Sequence, residues 1–481
     1  QKMSTRTSSI DGRGFPSPVF DTVGTASEIY NASGGISEFA MESYFGRINL
    51  SYLDRYILNV TMRSDGSSRF APSDRYGYFP SVSLGWNVSK ESFWKFPQTD
   101  LKFRLSYGKT GNQDGIGNYA WQPLMSGGIN YGNNSGMAVT SMGNNKLTWE
   151  TADQYDFGFD LGFWNGKLNM IADIYLKNTN NLLYSMPLHG TSGFTSITSN
   201  IGSMRNYGVE FSINGHLNIG KVNWTSSFNI SHNKNKLTKL LGDDLLPIGS
   251  NRALKVGEEL GAFYLFQMDG LYQYDGEVPQ PLYDLGVRAG DVKYHDADNN
   301  GIINDNDRVL TGSSNPDFFG GWNNTFKYKG FQLDVFFTYM YGNDVYAEWA
   351  VTATRPGYRM AITEDVAKNR WTAPGSSDKY PRAVNTLCGH NSKNSTRFLE
   401  DGSFIRLRSL TFSYTFPQVM LQKICLKGLR LYVQGDNLLL FSKYSGWDPE
   451  VSKNMDPQYF GVDLYGVPPS RSVNFGINLS F

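Results

Sequence analysis

An acidic, asparagine-rich segment near residue 300 has the spacing of a cation-binding loop. Its oxygen ligands would fall at the first, third, fifth, seventh and twelfth positions of an EF-hand-like loop, and they are Asp296, Asp298, Asn300, the Ile302 carbonyl and Asp307. Gly301, at the sixth position, allows the sharp turn, and Ile303, at the eighth, provides an apolar anchor. The residue types suit a hard cation, and the sequence predicts a structural Ca²⁺ site that orders a long loop.

Two features of this segment differ from an EF-hand. The twelfth position is Asp307 rather than the usual glutamate, so its carboxylate has a shorter reach. No helical pattern flanks the segment on either side. The alternative interpretation is a surface turn whose Asp and Asn side chains bind only its own backbone.

Catalytic motifs are missing from the sequence. Gly215–Lys221 has the glycine and lysine spacing of a phosphate loop, but Val222 replaces the required hydroxyl residue and a strand follows. No HExxH or GxSxG motif occurs, and the 5 histidines are scattered. The sequence therefore predicts a protein that is not an enzyme.

Two tryptophans in predicted outer loops, Trp371 and Trp447, have side chains that can stack on sugar rings. Packing between loops is an equally good explanation for both, since the indole is amphipathic. The sequence therefore assigns no substrate-binding residue.

The composition favours strands over helices and argues against nucleic-acid binding. Aromatic residues make up 15% of the chain, and 51 glycines accompany only 18% charged residues. The 44 basic and 44 acidic residues balance, which argues against binding to nucleic acid by electrostatic attraction. No apolar run approaches the about 20 residues of a membrane-spanning helix. The two cysteines, Cys388 and Cys425, are too few for a disulfide framework, and whether they pair stays open.

Apolar and polar residues alternate along much of the chain. Within 331–341, Phe331, Leu333, Val335 and Phe337 alternate with a second set that includes Asp334. A period of two indicates strands that lie between two environments. The apolar face would be the core of a soluble β-sandwich or the lipid face of an outer-membrane barrel.

The lengths of the links between strands distinguish these two folds. The pattern predicts thirteen strands, at 44–51, 56–63, 78–87, 100–108, 153–163, 167–178, 204–215, 222–235, 318–328, 331–341, 403–416, 430–441 and 470–481. Short links alternate with longer ones, as short periplasmic turns and long extracellular loops do in outer-membrane barrels. We therefore predict an all-β transmembrane antiparallel barrel, with residues 1–41 in an extracellular loop. Because closed barrels of this kind have an even number of strands, the odd count predicts that further strands belong to a missing N-terminal part.

Several segments resemble the SusC/RagA-like TonB-dependent transporters of Bacteroidetes. They are Arg47–Tyr56, Arg63–Phe70, Gly77–Trp86, Leu101–Asn112, Asn206–Glu210, Asp291–Arg308, Gly435–Asn437 and Gly446–Glu450. The resemblance implies that residues 1–481 are the C-terminal part of a plugged barrel of about 22 strands, and that the plug is absent from this chain.

The same resemblance implies a function and partners in the bacterial outer membrane. The expected function is active import of oligosaccharides, with import of peptides as the alternative. The expected partners are a SusD-like surface lipoprotein lid, the TonB–ExbB–ExbD complex acting through the plug, the remaining N-terminal part of the transporter, and outer-membrane lipid. A passive porin and a secreted β-protein that binds carbohydrate are the rival classes.

Overall fold

The fold is dominated by one large sheet, seen in a computed structural model that describes all residues except 21, 133, 243–244, 358–359, 385–388, 422–425 and 457–458. Cys388 and Cys425 therefore lie outside the described residues. The first twelve strands are β1 (Lys2–Arg13), β2 (Glu28–Tyr52), β3 (Tyr56–Ser67), β4 (Tyr76–Asn87), β5 (Thr99–Asn112), β6 (Leu124–Gly127), β7 (Met137–Ser141), β8 (Glu150–Phe163), β9 (Leu168–Pro187), β10 (Ser196–Ile219), β11 (Val222–Leu240) and β12 (Leu245–Ile248).

Twelve further strands and four short α-helices follow, and short 3-10 helices lie in the links between them. The strands are β13 (Arg252–Lys255), β14 (Ala262–Phe266), β15 (Met268–Leu271), β16 (Val292–Tyr294), β17 (Arg308–Ser313), β18 (Phe318–Tyr328), β19 (Phe331–Tyr341), β20 (Asp344–Tyr346), β21 (Leu399–Asp401), β22 (Phe404–Thr415), β23 (Gly428–Ser442) and β24 (Ser472–Ser480). The helices are α1 (Gln280–Asp284), α2 (Glu348–Ala353), α3 (Glu364–Asn369) and α4 (Gln418–Leu421). Within the described ranges, no helix is long and apolar enough to cross a membrane.

The large sheet has fourteen strands in the order β1-β2-β3-β4-β5-β8-β9-β10-β11-β18-β19-β22-β23-β24. Chain neighbours in this order pair antiparallel, as β2 does with β3 and β18 with β19. Contacts divide the chain into two units, one formed by 1–86, 104–155 and 177–204, the other by 87–103, 156–176 and 205–481.

All thirteen predicted strands are present, but the predicted loop over residues 1–41 is wrong. Lys2–Arg13 forms β1, which pairs antiparallel with the first part of β2. The pairing runs from Lys2 opposite Ala40 to Arg13 opposite Glu28. This segment is rich in Ser and Thr, so backbone pairing rather than burial of an apolar face holds it, and it leaves little period-two signal. The count is therefore fourteen, and the argument from an odd number of strands does not hold.

Side chains in the second unit separate onto two faces of the sheet, because directly paired residues of antiparallel strands share a face. One row across five strands is apolar and consists of Phe326, Leu333, Phe412, Val433 and Phe475. The adjacent row on the other face is polar and consists of Thr325, Asp334, Thr411, Gln434 and Asn474. Phe475 is 82% exposed and Phe412 is 47% exposed, so the apolar row is not covered by other described parts of the chain.

The first unit has the same arrangement. Leu50, Leu58 and Leu84 pair across β2, β3 and β4 on one face, while Asn49, Asn59 and Ser83 pair on the other. The amide of Asn59 donates a hydrogen bond to the Ser83 hydroxyl over 3.1 Å. An exposed apolar face opposite a hydrogen-bonded polar face is the pattern expected of a lipid-exposed barrel strand.

The links between strands fall into tight turns and long loops. Lys329 and Gly330 alone join β18 to β19, with φ values of 45° and 87°. Positive φ at both positions is the geometry of a type I′ hairpin turn, which glycine adopts without strain. The three longest links of the second unit, 241–317, 342–403 and 443–471, follow β11, β19 and β23. These three strands run parallel to one another, so the loops leave the same edge of the sheet.

These three long loops have a hydrophobic core of their own. One buried cluster combines residues from all three loops, including Phe263, Tyr346 and Val462. A second cluster lies within 241–317 and includes Leu282, Val292 and Ile303, with Trp371 packed against it.

Replacing Val335 with arginine tests the orientation of the apolar face. Val335 lies mid-strand in β19 and pairs with Leu410 on that face. If this face contacts lipid, Val335→Arg destabilises the folded protein by about 2–4 kcal/mol, measured by denaturant titration in lipid vesicles. The control is Gln332→Arg, on the polar face of the same strand, which should be close to neutral. Equal effects of the two substitutions would contradict the assigned orientation.

Candidate functional site

The predicted cation-binding loop lies between β16 and β17, and its acidic groups converge. One carboxylate oxygen from each of Asp296, Asp298 and Asp307 lies within 4.8 Å of the others. A single turn of 3-10 helix, Asp305–Asp307, ends the loop, and Asn304 and Asp307 form a reciprocal capping box at its start. The structure therefore brings together the three predicted acidic residues.

Backbone N–H groups hold all three carboxylates in place, and Asp298 accepts one such hydrogen bond, from Asn300 at 3.2 Å. Asp296 accepts hydrogen bonds from the N–H groups of Asn300, at 3.2 Å, and Gly301, at 2.7 Å. Asp307 is fully buried and accepts from the N–H groups of Ala297, at 2.9 Å, and Asn304, at 2.7 Å. The bond from Gly301 is the main reason that the pKa of Asp296 is lowered, so this carboxylate stays ionised well into the acidic range.

The amide oxygen of Asn300, a predicted ligand, is occupied by a hydrogen bond within the loop. It accepts a hydrogen bond from the N–H of Ile302 at 2.8 Å, and the Asn300 amide donates to Asp298 at 2.8 Å. Such local hydrogen bonds are the ones expected of the alternative interpretation, a surface turn whose Asp and Asn side chains bind groups of the turn itself. The loop therefore shows both features: local hydrogen bonds that fix its shape and a convergence of three carboxylates.

The loop is anchored to the core beneath it. Gly301 has φ +77°, which permits the reversal, and Ile303 is buried in the cluster around Leu282 and Val292. The predicted role of Ile303 as an apolar anchor is confirmed.

A buried ion pair at the start of β16 was not predicted from the sequence. Asp291 accepts two hydrogen bonds of 2.9 Å from the guanidinium of Arg382 and one of 2.8 Å from Asn391. Arg382 and Asn391 belong to 342–403, so these bonds link two long loops. Nothing in the spacing of residues 91 positions apart identifies such a pair.

The two tryptophans considered as sugar platforms have different environments. Trp371 packs against the second core cluster and donates its indole N–H to Gln273 at 3.1 Å, so it is a packing residue. Trp447 is 80% exposed. It lines a cavity of about 810 Å³, here called the aromatic cavity, formed by Trp349, Ala353, Thr363, Ser445, Gly446, Trp447, Asp463, Tyr465, Gly466, Val467 and Pro468.

Charged residues fix the backbone beside Trp447. Arg406 of β22 and Asp448 are both almost completely buried and form an ion pair of 2.6 Å. Glu450 contacts Arg406 at 3.0 Å and Arg408 at 2.8 Å. This network ties the segment 446–450 to the end of a sheet strand.

Removing one charge from this network should loosen that segment. Asp448→Asn leaves the buried Arg406 with Glu450 as its remaining partner in the network, and breaking a buried pair costs about 3 kcal/mol or more. Hydrogen exchange over 443–471 should show a corresponding fall in the free energy of local opening. As control, Glu364→Gln disrupts the exposed Lys368–Glu364 pair, which is worth about 0–1 kcal/mol. Unchanged exchange in Asp448→Asn would contradict the anchoring role.

Comparisons with known proteins agree with this geometry. The family described as TonB dependent receptor-like, beta-barrel matches residues 5–438. A TonB-dependent receptor of Formosa agariphila is 34% identical over 471 residues, which cover 93% of this chain and 46% of that receptor. The TonB-dependent receptor SusC of Bacteroides thetaiotaomicron is 31% identical over 470 residues, which cover 91% of this chain and 43% of SusC.

Solved structures give the same result. The RagAB peptide transporter superposes with a TM-score of 0.86 at 26% identity, covering 100% of this chain and 52% of the transporter chain. This chain thus spans about half the length of the relatives that it matches. Since the family match covers most of the chain and the two-faced antiparallel sheet agrees with it, the chain belongs to the TonB dependent receptor-like β-barrels of the bacterial outer membrane.

Proposed function

We propose that this chain is part of a non-enzymatic, TonB-dependent importer that takes oligosaccharides across the outer membrane. The observation that carries the proposal is the likeness to SusC and to RagAB, which extends over nearly the whole chain. A sheet with an exposed apolar face and a polar face suits a wall between lipid and a hydrated interior.

The chemistry of the polar face supports oligosaccharide as the cargo. A cavity of about 480 Å³ on β2–β5 is lined mainly by amide and hydroxyl side chains, such as Asn49, Asn59, Ser83 and Tyr107. Among the described residues that line it, Arg47 is the one with a charged side chain. Uncharged donors and acceptors match sugar hydroxyls, which carry no charge. Peptide import is the second candidate, because the RagAB structure is that of a peptide transporter.

The proposal includes further parts of the assembly. The remaining sequence, found in relatives of about twice this length, would supply the plug and the other strands of the barrel. TonB, with ExbB and ExbD, would supply energy through that plug, and a SusD-like lipoprotein would cover the long loops. The RagAB complex supports a two-protein arrangement of this kind.

Growth and uptake experiments test this function. A strain lacking the complete gene should lose growth on a set of oligosaccharides while retaining growth on monosaccharides and on peptides. Deletion of tonB should abolish the same uptake, whereas a passive porin would be unaffected. Affinity purification of the tagged transporter should return a surface lipoprotein. The transporter polypeptide itself should be roughly twice as long as this chain, since this chain covers 46% of its relative. Loss of peptide uptake alone would favour the second candidate.

We further propose that the acidic loop binds Ca²⁺ through Asp296, Asp298, Asn300, the Ile302 carbonyl and Asp307. Three carboxylates within 4.8 Å repel one another unless a cation neutralises them. The glycine turn and the buried Ile303 hold the loop in the shape that such a site needs. To bind through its side chain, Asn300 would turn its amide oxygen away from the Ile302 N–H. Ca²⁺ suits the site better than Mg²⁺, which demands a near-ideal octahedron.

Removing two ligand charges should abolish calcium binding. We expect the complete protein to bind Ca²⁺ with a dissociation constant of about 10⁻⁴–10⁻³ M, and the loop to resist protease only when calcium is present. Asp296→Asn combined with Asp298→Asn should eliminate both effects and leave membrane assembly intact. Asp305→Asn, a change in the same loop at an 84% exposed side chain that is not a predicted ligand, is the matched control. A loop that behaves identically with calcium and with a chelator would establish the self-bonded turn instead.

A further inference from the structure

The aromatic cavity lies where two of the long loops meet. Its walls come from 342–403, which contributes Trp349 and Thr363, and from 443–471, which contributes Trp447, Tyr465 and Val467. Its volume of about 810 Å³ lies within the range of about 300–1,000 Å³ that is typical of small-ligand sites.

Trp447 is exposed although its surroundings are rigid. The indole is 80% exposed, yet Tyr444 and Asp448 on either side are buried. Asp448 is held by the ion pair with Arg406, so Trp447 does not belong to a frayed segment. A large aromatic side chain that lines a cavity and stands on an anchored backbone is available to pack against a ligand. Among the described residues, the Trp447 indole N–H has no hydrogen-bond partner, which leaves it available to a ligand.

The polar groups at the floor of the cavity are already hydrogen-bonded to other groups of the protein. The indole of Trp349 donates to the Tyr444 hydroxyl at 3.1 Å, and that hydroxyl donates to Asp463 at 2.7 Å. Asp463, the one carboxylate among the described residues that line the cavity, also accepts from the N–H of Gly466 at 2.9 Å. The described lining therefore holds no basic residue, so an anionic group entering the cavity would lose its hydration without compensation.

From these observations we infer that the aromatic cavity binds an uncharged pyranose ring of the imported oligosaccharide, stacked on Trp447. The inference rests on the proposed import of oligosaccharides. The C–H groups on the face of a pyranose ring are weakly positive and match the negative face of an indole. The ring hydroxyls remain at the open side, where the indole N–H and water can bind them.

A peptide fits this lining less well. An extended peptide needs partners for its backbone N–H and C=O groups, and its termini need opposite charges. The polar groups of Trp349, Tyr444 and Asp463 are already bonded to one another. The aromatic cavity would thus contribute to discrimination between cargoes as well as to capture.

Calorimetric titration of the complete transporter, with its lid protein, tests the inference. The probes are short neutral oligosaccharides of glucose, mannose, xylose and galactose, together with an uncharged peptide of similar mass. At least one oligosaccharide should bind the wild type, and Trp447→Ala should weaken that binding about tenfold. Trp447→Phe, which keeps an aromatic face, should recover most of the affinity. Tyr131→Ala, which removes a 90% exposed aromatic residue that does not line the cavity, is the control and should change nothing.

The possible outcomes separate this inference from the proposed function. Oligosaccharide binding that Trp447→Ala leaves unchanged overturns the cavity assignment while the import function stands. Binding of the peptide but of no oligosaccharide overturns the proposed cargo. If Trp447→Ala then weakens peptide binding, the cavity is a peptide site and the pyranose assignment is wrong.

Discussion

The backbone of a strand within a membrane must find all of its hydrogen-bond partners in neighbouring strands, because lipid offers none. This requirement fixes the register of each strand against the next. In β18, β19, β22, β23 and β24 the register aligns the row from Thr325 to Asn474 on one face and the row from Phe326 to Phe475 on the other. A slip of one residue would move Asp334 to the apolar face, so pairing and the division of faces support each other.

The same register determines where the long loops begin. β11, β19 and β23 deliver their loops to one edge, and the loops then fold against one another around Phe263, Tyr346 and Val462. The contacts that fix these loops differ in kind from those of the sheet. They are apolar burial and buried ion pairs, such as Asp291 with Arg382, rather than repeated backbone pairing. The acidic loop and the aromatic cavity both depend on this loop core, since Ile303 and Trp349 pack against its clusters.

Periodicity and link length were enough to predict most of the sheet. Strands 318–328 and 331–341 agree with the structure to the residue, because strong alternation on both sides of a two-residue turn leaves one possible register. The sequence pattern does not reveal β1, because this Ser- and Thr-rich strand has no apolar face to signal it. The acidic loop was recognisable because its acidic residues are close in sequence. By contrast, the aromatic cavity joins Trp349 to Trp447, and the ion pair joins Asp291 to Arg382. Contacts over such separations depend on the tertiary fold and leave no local pattern.

The hydrophobic core within the long loops has an evolutionary consequence. Because residues such as Phe263 and Val462 stabilise the loops from within, substitutions on the loop surface need not disturb strand pairing. Exposed loop positions outside the segments that resemble the family, such as Tyr465, can therefore change while the strands of the sheet keep their register. The two-residue turn at Lys329–Gly330 has no comparable freedom, since its backbone geometry restricts which residues it accepts. Diversification should thus concentrate on one edge of the sheet.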